Sequence, residues 1–129
     1  MAKGEVSVVR VKNVLLVTLP SAPGDRIIDS LQSNVLSAMN EHRPDGVVID
    51  ISLVETVDSF FARTMEETAQ MISLMGGRTV VAGMQPEVAV TATELGLSFG
   101  QAGTALNVES ALDVFSRPEA KYFDTKEND

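Results

Sequence analysis

Two β-branched runs open the chain, Glu5 to Val11 and Asn13 to Leu19, with Lys12-Asn13 at their junction. So short a link suits antiparallel neighbours, because a parallel crossover needs about a dozen residues or more. Pro20-Ser21-Ala22-Pro23-Gly24 then breaks the chain. Ile27, Ile28, Leu31, Val35, Leu36 and Met39 follow on one stripe at helical spacing, which predicts a helix. Arg43-Pro44-Asp45-Gly46 reads as a turn, and Val47-Val48-Ile49-Asp50-Ile51 as a strand covered on both faces. A second helix is predicted after Asp58, with Phe61, Met65, Thr68, Ile72 and Met75 inward and Gly76-Gly77 as its stop. Arg78 to Gly83 supplies a fourth strand, and Pro86 begins a short helix where no amide hydrogen is needed. Gly96-Leu97-Ser98-Phe99 is a weak final strand, and Asn107 caps a last helix that turns Val108, Ala111, Leu112 and Phe115 inward.

The order β-β-α-β-α-β-α-β-α implies an α/β fold, a mixed and mostly parallel sheet packed with about four α-helices. At 129 residues the chain fits a single domain over residues 1–129, with an ordered core at about 5–116 and a polar tail from Pro118. The longest apolar runs are strand-sized, and no signal peptide opens the chain, so membrane insertion is not expected. A net charge of −8, with ten Lys and Arg residues in no cluster, argues against nucleic acid as a partner. Cysteine is absent, which excludes disulfides and thiolate chemistry and agrees with a reducing, cytoplasmic setting.

In such a sheet, function gathers at the carboxyl ends of the parallel strands. Three segments arrive there: Leu19 to Asp25, Ser52 to Ser59, and Gly83 to Pro86. The middle one is the richest, because Asp58 and Ser59 fall where a loop meets a helix start. Either residue there serves as a helix cap, and the same free amides and dipole suit a phosphate. Spacing does not choose between the two readings. Asp50 at a strand end suggests a phosphoaspartate receiver, yet no acidic pair follows an early strand and no lysine follows the last one. His42, the only histidine, sits beside a turn, and neither a nucleophile elbow nor a phosphate-cradling glycine loop is present. No enzyme, cofactor or metal site is therefore expected.

Asp50-Ile-Ser-Leu-Val-Glu-Thr-Val-Asp58-Ser59 resembles the signature of STAS domains, the anti-anti-sigma-factor family of bacterial regulators. The element order, the Gly-Gly before strand four and the Pro-Glu after it are also similar to that family, and the resemblance spans about residues 5 to 116. Many members continue Asp-Ser-Ser-Gly, whereas this chain has Asp58-Ser59-Phe60-Phe61-Ala62-Arg63. That continuation resembles the RsbS branch, small scaffold proteins of the stressosome, which lack the large N-terminal domain of RsbR-type relatives. The resemblance implies a phosphoprotein that sequesters an RsbT-like serine/threonine kinase and releases it once the serine is phosphorylated. It makes Ser59 the phosphoacceptor, with Asp58, Phe60 and Arg63 beside it as candidates for partner contact. It also implies an RsbR-like co-scaffold and a homo-oligomer, dimer or larger. The competing classes are an anti-anti-sigma factor that binds an anti-sigma kinase directly, and a ligand-binding or structural module.

Overall fold

A computed structural model of the chain describes residues 6–96 and 102–116. Its elements run β1 (Ser7–Val11), β2 (Val14–Thr18), α1 (Asp25–His42), β3 (Gly46–Asp50), α2 (Ser59–Leu74), β4 (Arg78–Ala82), α3 (Pro86–Glu94), β5 (Gly103–Ala105) and α4 (Val108–Ser116). The five strands form one sheet in sequence order, β1-β2-β3-β4-β5. β1 and β2 pair antiparallel with Val11 opposite Val14, and Lys12 takes the left-handed conformation that so tight a turn demands. Every later pairing is parallel.

Strand alternation divides the apolar residues between two layers. Leu15, Val17, Val47, Ile49 and Val81 face α1, α2 and α3, where Leu31, Val35, Phe61, Met65, Ile72 and Val88 complete the larger core. Val14, Val48, Val80 and Ala82 face the other way, against Ala111 and the half-buried Leu112 and Phe115 of α4. The central strands are thus covered on both faces, as the unbroken run Val47 to Ile49 predicts. Gly46, at the head of β3, is what lets α4 dock. A Cβ there would meet the Arg78 carbonyl and press to 2.5 Å from the Phe115 ring.

The expected stripe of α1 holds, with Ile28, Leu31, Val35 and Met39 buried and Ile27 and Leu36 packed at its margins. On α2, Phe61, Met65, Thr68 and Ile72 are buried as expected, whereas Met75 caps the helix and is 43% exposed. The helix ends one residue too early for Met75 to turn inward. Gly76, at φ 93°, makes the stop. The last strand among the described residues, Gly103–Ala105, is one that the sequence pattern does not announce. Gly96 belongs to the turn after α3, Leu97 to Phe99 lie outside the described residues, and the pairing strand is Gly103–Ala105 beside β4. Position explains the miss: an edge strand of three residues, none fully buried, carries no apolar run to announce it. Asn107 caps α4 as expected, its Oδ1 accepting from the Ser110 amide at 2.8 Å. Glu5 and the tail from Pro118 lie outside the described residues.

Candidate functional site

The carboxyl ends of β2, β3 and β4 deliver three loops to one end of the sheet, and hydrogen bonds join them. The Leu19 amide donates to the Asp50 carbonyl at 3.2 Å, and the Ile51 amide to that of Ala82 at 2.9 Å, so the parallel ladders continue past the strand ends. Asp50 then folds back on its own chain, its Oδ1 accepting from the Ser52 amide at 3.0 Å, a local turn that suits Asp. Gln85 Nε2, from the loop before α3, donates to the Ser52 carbonyl at 2.7 Å. On the other side the Glu55 amide donates to the Ser21 carbonyl at 3.0 Å. Gly83, at φ 80°, lets its loop pass close to Ser52, where a Cβ would come within 2.9 Å of the Ser52 Cβ. Val54 is fully buried and anchors the middle loop from within. The approach to α2 is therefore braced from both neighbouring loops.

At the end of that loop the two candidate residues take different roles. Asp58 is the N-cap of α2: it is extended at φ −131°, and its Oδ1 accepts from the Phe61 amide at 2.9 Å. Its carbonyl accepts from the Ala62 amide at 3.1 Å. Ser59 is the first helical residue and is exposed. Among the described residues its hydroxyl makes no hydrogen bond, and the amides of Ser59 and Phe60 meet no acceptor. Of the two residues, the aspartate holds the helix and the serine is left without a structural task.

The other two candidates part company as well. Arg63 is exposed one turn below Ser59. Phe60, expected to face outward, is half-buried and packs against the larger core, so only part of it is open to a partner. The sequence reading passed over Leu53, which stands 56% exposed on the braced loop. An apolar residue next to the buried Val54 was a signal for it, since neighbours in an extended segment point to opposite sides. Gln85 was passed over too, because a brace between loops leaves no trace in local spacing. The described residues contain no cluster of His, Cys, Asp or Glu arranged to hold a metal ion, and no helix long and apolar enough to cross a membrane.

Similarity to known proteins falls on this same architecture. A serine-to-glutamate variant of Moorella thermoacetica RsbS superimposes with a TM-score of 0.76 at 30% identity, covering 93% of this chain and 97% of that one. A chain from the molecular architecture of the stressosome, a signal integration and transduction hub, gives 0.74 at 30% identity over 92% and 98%. The RsbT co-antagonist protein RsbRA of Bacillus subtilis (strain 168) is 26% identical over 110 residues, 82% of this chain and 40% of RsbRA. This chain thus spans less than half the length of that relative. The model of the STAS domain matches residues 5–111, from β1 through the braced loops and Asp58-Ser59 to α4, and the chain belongs to the STAS domain family.

Proposed function

We propose that this chain is a stressosome-type STAS scaffold that binds an RsbT-like serine/threonine kinase and releases it when Ser59 is phosphorylated. The observation that carries the reading is the division of labour at the start of α2: Asp58 caps the helix, while the exposed Ser59 hydroxyl is unengaged among the described residues. A kinase reaches such a hydroxyl without unfolding anything. The added phosphate brings about −1.5 to −2 charge. The helix start favours that charge by roughly 0.3–1 kcal/mol. Asp58 and Glu55 oppose it through solvent by a similar amount. The fold accordingly tolerates the modification.

At an interface the balance shifts. A doubly charged group would lose its water there against a partner surface that offers it no counter-ion, at a penalty of ~3–5 kcal/mol. That lowers affinity several hundredfold or more. Partner contact on this reading falls to Asp58, Ser59, Arg63 and the exposed part of Phe60. RsbR-type relatives would join the chain in a larger assembly in the cytoplasm, as the names and similarity of the relatives suggest. Incubation with the kinase and ATP, followed by intact mass of the wild type and of Ser59→Ala, tests the reading. One phosphate on the wild type and none on the variant is expected; phosphate that persists on Ser59→Ala overturns the assignment.

A further inference from the structure

The outward stripe of α2 begins Ser59, Arg63, Glu67, all exposed, while Phe61, Ala62, Met65 and Thr68 are buried behind it. Arg63 is the only cationic residue in α2. Resting on the reading of Ser59 as the phosphoacceptor, we propose that Arg63 is the built-in counter-ion of a phosphate on Ser59, meeting it as an i, i+4 pair. Residues four apart on a helix are surface neighbours, with Cβ atoms about 5–6 Å apart. Long helical side chains lean towards the N-terminus, so Arg63 lies over the turn that Ser59 opens. The order is also the favourable one, with the anion N-terminal to the cation.

Competition for Arg63 is weak. Glu66 and Glu67 stand three and four residues beyond it, in the poorer order, each with one charge against nearly two on a phosphate. The Asp58 carboxylate is engaged by the Phe61 amide. Among the described residues Arg63 makes no ion pair. A guanidinium offers its donors as a planar fork that matches two phosphate oxygens at once. The amides of Ser59 and Phe60, which meet no acceptor among the described residues, are further donors at the same helix start. Modification then acts twice on a partner: it presents an anion, and it withdraws the one arginine that this end of α2 offers.

The test uses the full chain with phosphoserine genetically encoded at position 59, so that it does not depend on any kinase. Phosphorus NMR would follow the second ionisation of the phosphate, for which Asp58 and Glu55 are the carboxylates preceding it in sequence and Glu66 and Glu67 those following it on α2. Against the Arg63→Gln variant, the protein with Arg63 is expected to titrate about 0.15–0.4 pH unit lower. Arg63→Lys should recover part of that shift, which loss of structure would not do. The Arg63 Nε–H signal should also move and exchange more slowly when the phosphate is present. Equal midpoints with and without Arg63 would overturn the pair alone. A kinase that leaves Ser59 of the wild type unmodified would instead remove the reading on which the pair rests.

Discussion

Replacing Asp58 by alanine removes the acceptor for the Phe61 amide and should lower unfolding free energy by about 1 kcal/mol. Ser59→Ala removes a hydroxyl that makes no hydrogen bond among the described residues, so its stability should stay within about 0.5 kcal/mol of the wild type. Urea unfolding of the two variants measures this contrast, and a larger loss for Ser59→Ala would reverse the roles assigned to the pair. The sequence placed both residues at the helix start but did not divide their tasks, because Asp and Ser are nearly equal as caps. One residue of register decides it, and helix boundaries read from spacing are uncertain by at least that much. The same ambiguity left Phe60 facing outward on paper, although its ring rests on the core. For kinase affinity, Ser59→Ala should stay near the wild type, Ser59→Asp should be weaker and phosphoserine weakest. A carboxylate carries one charge and two oxygens against nearly two charges and three oxygens. Titration calorimetry with the purified kinase measures the order; equal affinities for the Ala and Asp variants would show that charge at this position is not the switch.

Among the elements, those with strong periodicity were legible and those held by tertiary pairing were not. The stripe Ile28, Leu31, Val35, Met39 announces α1 on its own, and Val47-Val48-Ile49 announces a strand buried on both sides. β5 has three residues, two exposed and one half-buried, so its existence rests on pairing with β4 that no local pattern encodes. α4 was legible through Asn107 and its apolar spacing, but the partner that makes its docking possible was not. That partner is Gly46, sixty-odd residues upstream, whose missing side chain is the room for the Phe115 ring. Gly46→Ala should therefore destabilise the protein by about 2–3 kcal/mol through overpacking. Thermal unfolding checks the size of the loss, and a value below ~0.5 kcal/mol would mean that α4 is not seated against β3.

Across the whole molecule the two faces of the sheet are unequally dressed. Three helices cover one face, whereas on the other α4 rests on β3, β4 and β5 with Val14 of β2 buried at its margin, and among the described residues no helix covers β1 there. Val9 stands 51% exposed there, paired across to the half-buried Leu16, on a strand whose outer edge has no partner among the described residues. Open edges and apolar strips invite association. The chain is accordingly expected to form a dimer or larger species at micromolar concentration, and Val9→Lys to reduce it with little change in monomer stability. Light scattering on both proteins measures this; equal mass for the two would place the contact elsewhere. A last consequence follows from the cap that Asp58 supplies from its own side chain. Since Ser59 makes no hydrogen bond among the described residues, a phosphorylated and an unphosphorylated form, on the function proposed above, should share one outline and differ in valence alone. Two such isoforms would overlay in a superposition and part company in an electric field, so that a native gel, run from a stressed and an unstressed sample, would count the phosphorylated share.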